Sequence, residues 1–529
     1  MAGRTIRSRL LWAACSLLAL CCGIAVGTVQ AQEFEYARKL SVQEPTALDW
    51  VYPLAMKSPA TTPKQIAEES LRGGDFTYEF CGPRDGGDRA WPLVIFVSPE
   101  NRPVGWPFWE ATCRDRGVLF AGIRDAGNGV VKARRVRAVV EVLGDLRQRY
   151  RIDPDRTYLA GFSGGGYIAS EVAMALPEYF GGVVSYGHST GPPPSPWGRQ
   201  RASERLSVAI VCGERESAAV WAKELHAPQL QCLGFRTDLQ LIDGMGHTMP
   251  GPAATEEAFA WLEQGLAERR GARRNGAVDL DGAMGREEMA AAWLNAAKAW
   301  LEQPETIGKG LMQLQGVDSR WHDLPAAAEA KKLLEEYERR AERPWIEEQR
   351  RAKLAIDQID AEGYARLAAY PASALAVDRG SVLRFALSAW RQLEKQAKTA
   401  EDRAAAAAQI AELERLTTEA PKQDLESKPM PLAKVRFRMV ADVTLAEGID
   451  YYGKVLAQLG YRLEVDESAK STIAAGRERI IKLNLPAASF SDVDRQFLRR
   501  NGLKSVRKGR EVRLLPSEAK AVKVVEVVE

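Results

Sequence analysis

The chain has 529 residues, 46% of them hydrophobic and 27% charged, too many for one core and enough for about three or four domains of ~150 residues. Its 73 basic and 70 acidic residues give a formal net charge of +3, a balance with no excess of positive charge to favour a nucleic-acid partner. Seven cysteines, scattered without Cys-x-x-Cys spacing, give no zinc-type ligand set, and no metal or cofactor is expected.

Arg4, Arg7 and Arg9 precede an apolar run from Leu10 to Val26, which ends in Val29, Gln30 and Ala31. Small residues at positions 29 and 31 match what a signal peptidase reads, so residues 1–31 are expected to be an export signal cleaved near Ala31. The run is at the short end for a retained spanning helix, the competing reading. Leu20 stands before Cys21 where a lipoprotein signal carries a small residue. Cleavage leaves 70 basic against 70 acidic residues and the cysteines Cys81, Cys113, Cys212 and Cys232. In a periplasmic or extracellular space these four leave room for one or two disulfides, with three complete pairings.

From residue 76 to about 270, short apolar runs alternate with amphipathic stretches, the pattern of strands joined by helical crossovers into a mostly parallel sheet. Strands are predicted at 76–80, 93–98, 118–123, 157–162, 182–186, 207–212 and 238–242. Between the third and fourth, Val136, Val139, Val140, Leu143 and Leu146 recur at helical spacing with arginines elsewhere, which predicts a helix with one buried and one wet face.

Gly161, Phe162, Ser163, Gly164 and Gly165 join the 157–162 strand to a helical stretch. Glycines at those offsets let a strained turn hold a serine hydroxyl above the sheet. A serine needs a base within hydrogen-bond reach and a third group to orient that base. Of the four histidines, His247 stands in a glycine-rich loop after the last predicted strand and before a helix carrying Phe259, Leu262 and Leu266. His188 is the reserve, expected at the mouth of the site, whereas His226 and His322 fall in helical contexts. After the strand ending near Cys212 come Glu214 and Glu216; Glu216 is favoured as the orienting acid, since Glu214 lies close to the strand end. Trp106, Phe108 and Trp109, and Trp197 in a loop with four prolines (187–198), are expected to border the cleft, with ordinary packing as the alternative.

Past Arg270 the composition changes. Residues 277–420 read as an all-α region: Met289, Trp293, Ala297 and Trp300 form an apolar stripe, Pro304 ends it, and later stretches repeat the habit without a fixed period. The segment 421–431 reads as a proline- and lysine-rich linker. Residues 432–520 read as a small α+β unit of order β-α-β-β-α-β, its helices stopped by Gly460 and Gly502.

With Ser163, Glu216 and His247 in that chain order, residues 93–266 resemble the α/β-hydrolase superfamily, and are most similar to secreted esterases of the polyhydroxybutyrate-depolymerase and feruloyl-esterase type and to the phospholipase/carboxylesterase group. The resemblance implies an α/β-hydrolase domain at 32–272 and hydrolysis of a small-molecule or polymer ester through an acyl-enzyme. It also implies an oxyanion hole built on the Gly164 N–H. Many relatives place His-Gly where this chain has Ser98 and Pro99, and Pro99 has no N–H, so the second donor is expected from the backbone of Glu100 or Asn101. A serine peptidase of the same fold, or an impaired hydrolase serving as an envelope interaction protein, are the other readings. The last ninety or so residues resemble, around Leu445 to Asp466, the small secretin/TonB N-terminal type of domain, which implies an envelope protein partner.

Overall fold

The computed structural model describes residues 32–40, 76–274, 286–377, 379–426, 437–458, 461–475, 480–508 and 511–517. The expected export signal lies outside the described residues. Among the described residues, no helix is long and apolar enough to cross a membrane.

Eight strands form one sheet: β1 (Glu33–Lys39), β2 (Thr77–Gly82), β3 (Trp91–Val97), β4 (Leu119–Ile123), β5 (Ile152–Phe162), β6 (Gly182–Tyr186), β7 (Ser207–Gly213) and β8 (Arg236–Ile242), in the order β1-β2-β4-β3-β5-β6-β7-β8. All neighbours from β4 to β8 run parallel, while β1 and β2 are antiparallel. This is the α/β-hydrolase architecture. Central strands such as β3 (WPLVIFV) and β7 (SVAIVCG) are buried along their whole length, which is why they read as unbroken apolar runs. The sequence reading missed β1: EFEYARK lies on the sheet edge, mostly exposed, and carries no apolar run to find.

Helices cover both faces. On one lie α1 (Trp106–Arg116) and, later in the chain, α6 (Pro252–Gln264), through Trp109, Cys113, Phe259 and Leu262. On the other lie α2 (Lys132–Arg149) and α3 (Gly164–Ala175), through Val136, Leu143, Ile168 and Val172. Between these come α4 (Pro196–Ser203) and α5, a continuous helical stretch made of Ser217–Trp221, a π turn at Ala222–His226 and Ala227–Cys232; α7 (Leu266–Arg274) closes the unit. The wet face expected of α2 is not wet. Arg135, Arg137, Glu141 and Asp145 are buried, and Arg135 serves as a tie: its Nε donates to Ala126 O at 2.7 Å and its Nη2 to Ser98 O at 3.2 Å. Cys81, Cys113, Cys212 and Cys232 are all free thiols, so no disulfide forms among them.

The all-α region comprises α8 (Arg286–Leu301), α9 (Ile307–Arg320), α10 (Pro325–Glu338), α11 (Pro344–Ala368), α12 (Ala372–Leu375), α13 (Arg379–Gln396) and α14 (Ala400–Glu426). The last continues past Pro421, where a linker was expected. Helices α8 to α10 share the core of the sheet unit. Trp197 on α4 sits 5.2 Å from Trp293, which sits 4.8 Å from Trp321, and the Trp197 Nε1–H donates to Gln313 Oε1 at 2.8 Å. The Arg201 guanidinium lies over both Trp197 and Trp293, at 4.5 and 4.6 Å from the ring centres.

Helices α11 and α12 pack instead against α5. Arg366 Nε donates to Glu224 Oε2 at 3.0 Å, the Tyr370 hydroxyl to Glu224 Oε1 at 2.9 Å, Gln229 Nε2 to Asp360 Oδ1 at 2.7 Å, and Trp221 Nε1 to Leu375 O at 2.9 Å. At Gly363 the two helices nearly touch: a Cβ there would lie 2.6 Å from the Leu225 side chain.

The C-terminal unit has β9 (Phe437–Thr444), α15 (Leu445–Gln458), β10 (Arg462–Val465), α16 (Glu467–Ala475), β11 (Ile480–Ala488), a helical stretch from Phe490 to Asn501, β12 (Leu503–Lys508) and β13 (Glu511–Pro516). They form a two-stranded sheet, β11-β9, and a three-stranded one, β10-β13-β12, around Tyr452, Leu456, Phe497 and Val512. Helix α16 stands between β10 and β11, where the sequence reading had strand follow strand. Its ESAKSTIAA sequence buries only Ala469 and so shows no apolar stripe.

Candidate active site

Ser163 caps α3 at the end of β5 with φ 53° and ψ −122°, a left-handed conformation that costs a non-glycine residue energy and persists only where the surroundings impose it. Here they do. The Ser163 N–H donates to Tyr186 O at 2.8 Å, and α3 approaches the sheet so closely that a Cβ on Gly165 would lie 2.0 Å from Val97 O.

The turn brings three distant side chains together. Ser163 Oγ and His247 Nε2 are 2.9 Å apart. On the other side of the ring, Nδ1 is hydrogen-bonded to Glu216 Oε2. Glu216 is 7% exposed, and its Oε1 accepts the Gly213 N–H at 2.6 Å, so both carboxylate oxygens are held. A carboxylate at Nδ1 keeps the ring proton there and leaves Nε2 as acceptor for the serine hydroxyl. Phe162 supports the imidazole from the sheet side, ring centres 4.9 Å apart. The loops are stitched by backbone bonds: Glu214 N–H to Ile242 O at 3.0 Å and Arg215 N–H to Met245 O at 3.0 Å. Glu214 itself is exposed and stands off from the imidazole, its Oε2 3.5 Å from Gly244 N.

Of the expected oxyanion donors, Gly164 is placed at the first turn of α3. Of the other two, Glu100 has its N–H engaged elsewhere, and Asn101 ties its loop through its acceptors. The Glu100 N–H donates to Ser98 Oγ at 3.1 Å. Asn101 holds the loop after β4, its backbone O accepting Asp125 N–H at 2.7 Å and its Oδ1 accepting Gly127 N–H at 3.1 Å. The sequence reading passed over that loop; it carries Asn128, whose N–H donates to Pro99 O at 2.8 Å and whose carboxamide lies against Gly164.

Of the expected cleft residues, His188 lies against α3. Its ring is 5.7 Å from that of Tyr167, one turn along α3 from Ser163, and burial lowers its pKa to about 4. His226 is likewise pushed down to about 4 by burial, its Nδ1 2.7 Å from Ser189 Oγ. The tryptophans are structural. Trp109 is fully buried beneath Phe259, because it lies on the inward face of α1 with Cys113. Trp106 stacks on Phe34 of β1, 4.7 Å between ring centres, and Trp197 joins the helical region as described. Among the described residues, no group of three or more His, Cys, Asp or Glu could hold a metal ion.

No family model matches the chain. Over 80 residues it is 36% identical to a protein of Nocardia uniformis subsp. tsuyamanensis named "Putative esterase NocK", a match covering 15% of this chain and 22% of that protein, well short of two thirds of the relative's length. Among solved structures it is similar to a thermostable esterase, 18% identical over 37% of this chain and 61% of that one, with a TM-score of 0.31. It is also similar to the S-formylglutathione hydrolase FrmB of Staphylococcus aureus, 12% identical over 36% of this chain and 93% of that one, with a TM-score of 0.30.

Proposed function

We propose that the chain is an exported serine hydrolase that cleaves carboxylic esters, with Ser163 as nucleophile, His247 as general base and acid, and Glu216 as the group that orients the imidazole. The observation that carries this reading is the relay itself, with Ser163 Oγ 2.9 Å from His247 Nε2 and Glu216 on the opposite ring nitrogen.

Ser163 Oγ attacks the ester carbonyl carbon as its proton passes to His247 Nε2, and the carbonyl oxygen becomes an oxyanion. The imidazolium beside Glu216 then gives that proton to the departing alkoxide, the C–O bond breaks, and an acyl-Ser163 remains. Water repeats the sequence: its proton goes to Nε2, its oxygen bonds to the acyl carbon, and the proton returns to Ser163 Oγ as the acid leaves. Tyr167, exposed one turn after Ser163 and hydrogen-bonded by Lys132 Nζ at 3.1 Å, offers a surface for the acyl or aryl part of an ester.

A fluorophosphonate carrying a mass tag tests this. Ser163 should be phosphonylated in the folded wild-type protein and p-nitrophenyl esters turned over, and Ser163→Ala should abolish both, with a loss of roughly 10⁶-fold in kcat. A folded protein that neither reacts with the probe nor hydrolyses esters would overturn the proposal. The second reading, an inert hydrolase fold that binds envelope partners through its C-terminal unit, is favoured by one observation: Pro99 has no N–H and the Glu100 N–H is spent on Ser98, which leaves the backbone of that loop short of a donor for the oxyanion.

A further inference from the structure

We propose that the carboxamide of Asn128 is the second oxyanion donor, acting with the Gly164 N–H; this rests on the serine-hydrolase reading above. An oxyanion formed on Ser163 needs two preorganised donors, and in the loop after β3 Pro99 has no N–H to give and the Glu100 N–H is bonded to Ser98 Oγ. Asn128 stands where the donor is needed. A Cβ built on Gly164 would lie 2.0 Å from Asn128 Oδ1, 2.7 Å from Cγ and 2.9 Å from Nδ2, so the carboxamide fills the space that a side chain at position 164 would take. Glycine after the nucleophile is what admits it.

The position of Asn128 is built. Its N–H donates to Pro99 O, Asp125 N–H donates to Asn101 O at 2.7 Å, and Gly127 N–H donates to Asn101 Oδ1 at 3.1 Å. Buried Arg135 binds Ala126 O and Ser98 O from beneath, which locks the loops after β3 and β4 to each other. Asp125 accepts a left-handed φ of 52° to make the turn. Among the described residues the Asn128 carboxamide itself has no hydrogen-bond partner. It can therefore turn about its terminal torsion to present Nδ2–H with no bond to break. A side chain that is exposed and unbonded, yet carried on a loop held by four hydrogen bonds beside the nucleophile, matches a group whose partner appears only during the reaction.

The experiment compares wild type, Asn128→Ala, Asn128→Asp, Gly164→Ala and the Asn128→Ala/Gly164→Ala double variant on p-nitrophenyl acetate. A phenylboronic acid, which forms a tetrahedral anion on the serine, provides a second readout. Loss of one donor should lower kcat about 10²- to 10³-fold with KM little changed, and boronate affinity should fall in parallel. Asn128→Asp should lose at least as much as Asn128→Ala, since a carboxylate repels the oxyanion. Gly164→Ala should match Asn128→Ala, because its methyl displaces the carboxamide, and the double variant should lose no more than either single change. If wild type turns over the ester and Asn128→Ala keeps kcat within about threefold, or if the two single losses add, the role of Asn128 is overturned while the triad stands. If wild type is inert to both ester and fluorophosphonate, the hydrolase reading falls and this inference with it.

Discussion

The sheet unit and the helical region bury their apolar residues in opposite ways. In the sheet, neighbours come from far along the chain: β3 lies between β4 and β5, and Glu216, His247 and Ser163 meet across 84 residues of sequence separation. In the helices, neighbours are mostly consecutive, α8 with α9 and α9 with α10, and the outer faces carry pairs one turn apart such as Glu347–Arg350, Lys353–Asp357 and Glu412–Arg415. Long-range strand pairing fixes backbone positions that a reacting group can rely on, whereas near-neighbour helix packing supplies bulk and tolerates change. The Ser163–His247–Glu216 relay sits in the first and the one-turn ion pairs in the second.

That contrast can be broken by substitution. The largest effect belongs to the sheet unit: Glu216→Gln should keep the fold and lower kcat about 10⁴-fold by permitting the wrong imidazole tautomer, while Glu214→Gln should change it less than about threefold; equal losses in steady-state kinetics would show that the acid is misassigned. Next comes the junction. Trp293→Ala should cost about 3–5 kcal/mol in denaturant unfolding yet leave kcat at permissive temperature little altered, and a matching collapse of kcat would mean that the helices take part in the chemistry.

Acid sensitivity is third. His188 and His226 take a proton only near pH 4 in the folded chain, whereas in the unfolded chain they do so near the ordinary 6.5. The unfolded state therefore binds more protons between those values, and stability should fall as pH drops from 6.5 to 4 by about 1.4 kcal/mol per pH unit per histidine. His226→Gln should flatten this limb in urea titrations at stepped pH. Smallest is the outer face: Glu347→Gln removes an exposed pair with Arg350 and should leave the thermal midpoint unchanged, since exposed pairs are solvent-screened. A clear drop would show that the helical surface is not the tolerant region described.

Much of this was legible in the sequence. The central strands could be read because both their faces are covered, so that every residue of Trp91–Val97 had to be buried. Ser163 was legible because its strained turn demands small neighbours, and His247 because a loop after the last parallel strand opens over the same end of the sheet. The tryptophans misled for a related reason. Trp106 and Trp109 look like loop aromatics, yet they open a helix whose inward face was hidden by its weak periodicity. Arg135 was misread because arginine on an amphipathic helix usually faces water, while here carbonyl oxygens of two loops need its donors. Asn128 was illegible: nothing local marks it, and its position follows from hydrogen bonds between two loops, the Gly127–Asn101 bond spanning 26 residues.

Helix α5 follows Glu216, which is its N-cap residue, and its turns are gripped by Arg366, Tyr370 and Leu375 from the middle of the helical region. The polypeptide is thus modular to the eye but not to the scissors. A chain cut at residue 275 would keep Ser163, His247 and Glu216 and lose the contacts that hold the helix running on from Glu216.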